Sequence, residues 1–179
     1  MLILKVDDEI TLKELEIDTA EKLFGLIDTN REYLREWLSW VDNTSSIDDT
    51  ILYIQTLYNQ NIYSERFVME VRYNNELSGL IDYHKGDSVN LKAEIGYWLG
   101  EKFQGKGIMT KACVALIDYG FNKAGLNRVT IKCAADNKRS QAIPLRLNFK
   151  QEGIEREGQF FYGRYHDVLV FSMLKSEWK

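Results

Sequence analysis

The chain has 179 residues, with 23 Lys and Arg against 27 Asp and Glu, and its formal charge of −4 lacks the basic surplus that nucleic-acid binding requires. At 45% hydrophobic it is long enough for one sizeable core and short for two, so one domain over residues 1–179 is expected. No apolar run is long enough to cross a bilayer, and the opening MLILKVDDEITLKELE has neither a basic region nor a cleavage site. The expected location is therefore the cytoplasm, away from any membrane.

Along the chain, ITLKELE reads as a strand. Asp18, with Glu21 three residues on, reads as the cap of a helix through Leu23, Phe24, Leu26 and Ile27. A second amphipathic segment carries Tyr33, Leu34, Trp37, Leu38 and Trp40. After polar DNTSS, Ser46 or Ser45 can cap a helix through Ile51, Ile54, Leu57 and Tyr58. From Arg66 the period changes to two: RFVMEVRY, ELSGLIDYH and LKAEIGYWL predict an antiparallel meander turning at Asn74-Asn75 and at GDSVN. GKGIMTKACVALIDYGFNKAG then predicts a helix ended by Gly125, followed by the strand NRVTIKCAAD. Strand, helix, strand with short links is a crossover, so strands near 94–99 and 128–134 should be parallel. A short helix near 138–147 and the strands QEGIEREGQFF and HDVLVFSML complete a mixed α/β fold.

The segment AEIGYWLGEKFQGKGIMTKA, residues 93–112, carries the chemistry. Gly105 and Gly107 stand between a strand and a helix start, where bare backbone amides and the positive helix end can hold a pyrophosphate. A GxG turn alone is equally a tight turn into a helix. Gly96 inside a strand, however, suggests a bulge or close approach that opens a slot between parallel neighbours. AADNKRS places Asn137 and Ser140 at the carboxyl end of the sheet, where open α/β sheets bind ligands.

With AEIGYWL, the GKG loop and its helix, LNRV, the Asn137-to-Ser140 motif, LNFKQEG and HDVLVFSMLKSEW, almost the whole chain resembles the GNAT acetyltransferases, in their RimJ/RimL-like branch. The resemblance implies a mostly antiparallel twisted sheet splayed between two central parallel strands, with helices on both faces. It implies acetyl-coenzyme A as cosubstrate, no metal, and an amine acceptor. That acceptor is foremost a protein N-terminus, perhaps ribosomal, with a polyamine or aminoglycoside as the runner-up and a non-catalytic acyl-coenzyme A module as a third reading. Related enzymes are often homodimers, which leaves that assembly open here. Carried over residue by residue, the cofactor would meet Leu99, Lys102, Gln104, Gly105, Lys106, Gly107, Ile108, Met109, Thr110, Asn137 and Ser140. Lys102 departs from the usual Gln or Arg, and Asn148 replaces a common Gly.

Direct transfer needs a neutral amine, a stabilised oxyanion and a proton for the leaving thiolate. The resemblance makes Glu94 the candidate base and Ser140 the group beside the sulfur. Each has an ordinary alternative, a solvated strand carboxylate and an N-cap of the helix at Gln141. His84 and His166 lack any supporting Cys or carboxylate pattern and read as structural. Cys113 and Cys133, outside metal or CxxC spacing, read as buried inert thiols. Tyr33, Trp37 and Trp40 read as core, part of which could wall an acceptor groove.

Overall fold

The computed structural model describes residues 2–57, 63 and 66–179. One sheet contains β1 (Ile3–Lys5), β2 (Ile10–Glu14), β3 (Arg66–Tyr73), β4 (Glu76–Asp87), β5 (Lys92–Leu99), β6 (Arg128–Ala134), β7 (Lys150–Phe161) and β8 (Arg164–Leu174). Their spatial order is β1-β2-β3-β4-β5-β6-β8-β7. Of these pairings only β5 with β6 is parallel, and the crossover it demands is α4 (Ile108–Asn122). The other helices are α1 (Ala20–Thr29), α2 (Arg31–Arg35), α3 (Ile47–Thr56) and α5 (Lys138–Arg146).

Period-two alternation sends successive side chains of the central strands to opposite faces. Met69, Ile81 and Ile95 join Ala112, Leu116 and Ile117 of α4 in one core. Val68 and Leu80 join Leu23 and Ile27 of α1 and Ile54 of α3 in the other. Leu116 and Ile117 have no exposed surface, and each contributes about 1.5–3 kcal/mol through burial. Helices therefore cover both faces, as expected.

Several local expectations change. α1 begins at Ala20, and Asp18 sits in a preceding 3-10 turn without a side-chain cap. Thr19, at the cap position, instead turns inward to bond the buried Glu70 carboxylate. The aromatic segment 33–40 is not one helix: α2 ends at Arg35 and a 3-10 turn covers Ser39–Asn43. Arg31 holds that turn by donating to the Val41 and Thr44 carbonyls at 2.7 and 2.8 Å. Ser46 caps α3 in a full capping box with Asp49. Tyr58, placed in that helix from sequence, lies outside the described residues.

α4 stops at Asn122, three residues before the left-handed Gly125. The strand β1 was not anticipated, being short and half exposed. The cap of α5 is Asn137, whose Oδ1 accepts from the Ser140 amide at 3.0 Å, so Ser140 is inside the first turn and does not cap.

Candidate active site

The parallel ladder runs only from Lys92 opposite Arg128 to Ile95 opposite Ile131. Beyond it, Gly96–Leu99 and Lys132–Ala134 separate and leave a gap in the middle of the sheet. The parallel pairing expected between these strands is thus confined to the first four residues of β5, and the splay expected between them follows. Nor is Gly96 a bulge. It lies in register opposite Asp82, and the irregularity of that ladder falls between His84 and Asp87. Its role is clearance: a Cβ there would stand 2.6 Å from Asp82 Oδ1 and 3.2 Å from the His84 ring.

At one end of the gap lies a narrow slot of about 110 Å³, lined by Leu99, Gln104, Met109, Asn137, Ser140 and Tyr97 among others. Gln104 and Met109 flank the turn Gly105-Lys106-Gly107, in which both glycines have φ +74° and a Cβ would meet nothing within 4 Å. That conformation costs about 1–2 kcal/mol for other residues. It makes Gly107 the cap of α4, with no side-chain cap bond, so the first amides of the helix have no side-chain capping partner. The Ile108 side chain is in the core, leaving only its amide to offer. Arg146 donates to Thr110 Oγ1 at 2.8 Å and adds a cation to the first turn. Such a helix end could hold a pyrophosphate. Lys106 lies over the Tyr73 and Phe103 rings, and Lys102 is engaged in an exposed ion pair with Glu76.

Where the slot meets the gap, Ser140 Oγ lies 3.2 Å from Cys133 Sγ and 3.4 Å from Tyr97 Oη, and Tyr97 Oη donates to the Ser140 carbonyl at 2.9 Å. Burial raises the Tyr97 pKa well above the ordinary phenol range, so the hydroxyl keeps its proton. Cys133 is buried, yet it lines the gap.

The gap also opens into a cavity of about 780 Å³, which shares Trp37, Leu38, Tyr97, Trp98, Asn137 and Ser140 with the slot. Trp37, Trp40 and Trp98 contribute to its wall, the last two with ring centroids 5.9 Å apart. The tryptophans taken as core are therefore largely cavity wall. Its charged lining includes Asp49, Arg66, Asp82, His84 and Lys132. Asp49 is held by Ser45 and Ser46. Asp82 Oδ2 accepts from His84 Nδ1 at 2.9 Å and faces Arg66 Nε at 3.6 Å.

Glu94 is not among the lining residues. It stands behind them, 3.5 Å from His84 Nε2, 3.5 Å from Lys132 Nζ and 3.2 Å from Lys85 Nζ. Its hydrogen bond with His84, helped by the two lysines, outweighs burial and lowers its pKa to about 2. Burial pulls the His84 pKa down, but the hydrogen bonds and charges of Asp82 and Glu94 outweigh it and raise the value to about 9. His84, read from sequence as structural, is hydrogen-bonded as expected and also part of the cavity wall. His166 is buried and stacks on Phe161 at 3.9 Å, outside both spaces. Asp82, Tyr97 and Arg146 were not singled out from sequence. The one available signal for the first was Asp82 and His84 two apart just after the apolar pair Leu80-Ile81, sharing a face with Glu94 and Gly96.

Comparisons with known proteins fit this architecture. A family profile described as "Acetyltransferase (GNAT) domain" matches residues 9–150. The Bacillus subtilis (strain 168) protein YdaF, named as a candidate ribosomal N-acetyltransferase, is 41% identical over 183 residues, covering 100% of this chain and 98% of YdaF. Among solved structures, RimL, a ribosomal L7/L12 alpha-N-protein acetyltransferase in complex with coenzyme A through a cysteine disulfide, matches with TM-score 0.93. It is 28% identical, with 97% of this chain and 98% of RimL covered. The microcin C7 self-immunity acetyltransferase MccE, in complex with acetyl-coenzyme A and AMP, matches with TM-score 0.90 at 33% identity over 95% of this chain and 94% of that one. A central parallel pair that parts beside a glycine turn opening a helix, and a family match spanning most of its length, together make this chain a member of the GNAT acetyltransferases, an acetyl-coenzyme A-dependent N-acetyltransferase.

Proposed function

We propose that this enzyme acetylates the α-amine of a protein N-terminus, a ribosomal protein being the foremost candidate. The observation that carries this reading is the acceptor cavity: it is walled by three tryptophans, and both of its carboxylates, Asp49 and Asp82, already hold partners through one oxygen, Oδ2. A polyamine needs several unengaged carboxylates spaced along a groove, whereas one residue of a peptide needs room and an apolar wall. The names of YdaF and RimL point the same way.

Basicity supports it too. An α-amine has pKa about 8 against about 10.4 for a lysine, so its neutral fraction at pH 7 is more than about a hundredfold larger. Short peptides should therefore be acetylated at the α-amine, with rates that depend on the first residue or two and little modification of internal lysines. Steady-state assays comparing free-N-terminus peptides, N-terminally blocked lysine peptides, spermidine and an aminoglycoside decide the matter. A preference for spermidine or the aminoglycoside would replace the reading with a small-molecule one.

For the cofactor, the turn from Gln104 to Met109 takes the pyrophosphate, with Lys102 contributing weakly from its ion pair. The pantetheine arm lies along Leu99 and Asn137, and Thr110 with Arg146 flanks the phosphates. The sulfur comes to rest by Ser140. The neutral amine attacks the thioester carbon, the C–N bond forms, the C–S bond breaks, and the thiolate regains a proton from the Ser140 and Tyr97 hydroxyl pair. Ser140→Ala and Tyr97→Phe should each lower kcat by about tenfold or more. Because the two hydroxyls touch, the double variant should be little worse than either. The defect should shrink for a thioester whose leaving thiol is more acidic, and a defect independent of the leaving group would remove the pair from this step.

A further inference from the structure

We propose that Asp82 receives the acceptor amine, with His84 and Arg66 as its positioning residues and Gly96 as the opening through which it reaches the thioester. The inference rests on the amine entering from the tryptophan-walled cavity, as proposed above. The closest contacts of both ionic partners of Asp82 are to the same oxygen: His84 Nδ1 is 2.9 Å and Arg66 Nε 3.6 Å from Oδ2. The other oxygen, Oδ1, stands over Gly96, 2.6 Å from where a side chain would begin. Gly96 is also the first residue of β5 past the end of its parallel ladder with β6. That oxygen, which has no hydrogen bond among the described residues, thus lies where the sheet parts; strand alternation puts it on the face opposite Tyr97, and Tyr97 and Ser140 line the same cavity.

Glu94, by contrast, is one step removed. Its carboxylate is occupied by His84, Lys85 and Lys132, and its low pKa makes it a poor proton acceptor. Its place in the arrangement is to grip His84 Nε2 while Nδ1 donates to Asp82. The charged groups facing His84 are therefore Asp82 from its own strand and Glu94 from β5, with Arg66 of β3 beyond the first and Lys85 and Lys132 beyond the second. One carboxylate oxygen fits one amine. The amine gives up its first proton to solvent and adds to the thioester carbon as R–NH2. The adduct nitrogen, now positively charged, passes a second proton to Asp82 Oδ1. The C–S bond then breaks and the thiolate is protonated from the opposite face, so that amine and acetyl-coenzyme A yield amide and free thiol. Asp82 releases its proton to solvent as product leaves, and the Ser140 and Tyr97 hydroxyl pair regains one from solvent.

The test is steady-state kinetics with whichever of a free-N-terminus peptide, spermidine or an aminoglycoside the wild-type protein acetylates fastest. A wrong acceptor class then shows in the wild type and leaves the Asp82 measurement readable. Asp82→Asn should lower kcat/KM for the acceptor by about a hundredfold or more while acetyl-coenzyme A affinity stays within about twofold. His84→Gln, whose amide can still donate to Oδ2, should keep activity within about tenfold of wild type, whereas His84→Leu should fall as far as Asp82→Asn. The wild-type profile should decline above about pH 9 as His84 loses its proton, and that limb should be missing in His84→Gln. Gly96→Ala, which sets a methyl group against Oδ1, should reproduce the acceptor defect with cofactor binding intact, and it decides in the same terms if Asp82→Asn does not fold. The proposal is overturned if Asp82→Asn retains kcat/KM within about threefold of wild type, if acetyl-coenzyme A affinity falls in parallel, or if Glu94→Gln is the more damaging change.

Discussion

Replacing Gly107 with Trp is expected to abolish coenzyme A binding, by at least about a hundredfold in affinity, while the protein still folds. A Cβ at 107 meets no atom within 4 Å, so a side chain there starts into open space. The folded state bears only the strain of a left-handed φ, about 1–2 kcal/mol, which is a fraction of ordinary domain stability. The ligand, however, needs that same empty space, because the amides of the α4 first turn can reach a pyrophosphate only where no side chain intervenes. Lys102→Ala should have a modest effect, since Lys102 is exposed and already paired with Glu76. Calorimetric titration with acetyl-coenzyme A, beside a thermal melt of each variant, checks both. Unchanged affinity in Gly107→Trp would place the cofactor elsewhere.

The second large effect is on stability and its dependence on pH. The His84 pKa, raised from 6.5 to about 9, means that the folded state holds this proton more tightly than the unfolded chain. The resulting stabilisation is fully present below pH 6.5 and is lost as the pH rises through 9. Its size is about 3 kcal/mol for a side chain only 21% exposed. Glu94, lowered from 4.5 to about 2, behaves in the opposite sense: its contribution is present above pH 4.5 and disappears as the pH falls through 2. Both shifts describe largely one contact and are not added. Urea unfolding of wild type and His84→Ala should therefore show a gap that is widest between about pH 4.5 and 6.5 and narrows toward pH 10. A gap that does not vary with pH would mean that His84 carries no extra proton in the folded state.

The parts of the site that were legible from residues alone are those built within one stretch of chain. The GKG turn, the helix it opens, the Asn137-to-Ser140 segment and the Ser46 capping box each place their determinants a few residues apart. A left-handed glycine or a capping hydroxyl acts through backbone geometry that local chemistry sets. The crossover between β5 and β6 was legible for the same reason, since strand, helix and strand follow one another with short links. Local signals also have limits: Asp18 had the spacing of a cap, but the buried Glu70 fixed the neighbouring Thr19 inward and the helix began later.

The acceptor side could not be read in that way. Arg66, Asp82 with His84, Glu94 with Gly96, and Lys132 come from four different strands, and Trp37 and Trp40 from a segment far away in the chain. Periodicity tells that Asp82, His84, Glu94 and Gly96 can share a face, but a core wall and a cavity wall carry the same aromatic spacing, and Trp37 and Trp40 satisfied both. Glu94 looked like a base because a strand carboxylate beside a cofactor slot is the right kind of group in the right place. The arrival of His84, Lys85 and Lys132 around it is a matter of strand register, and it turns that carboxylate into a weak proton acceptor. The amino-acid sequence thus settled the glycine turn that opens α4, the crossover and the family, since backbone preference and short-range order suffice for those. The folded molecule alone settled where β5 and β6 part and which carboxylate faces the gap, because register between distant strands arises from the packing of the whole sheet.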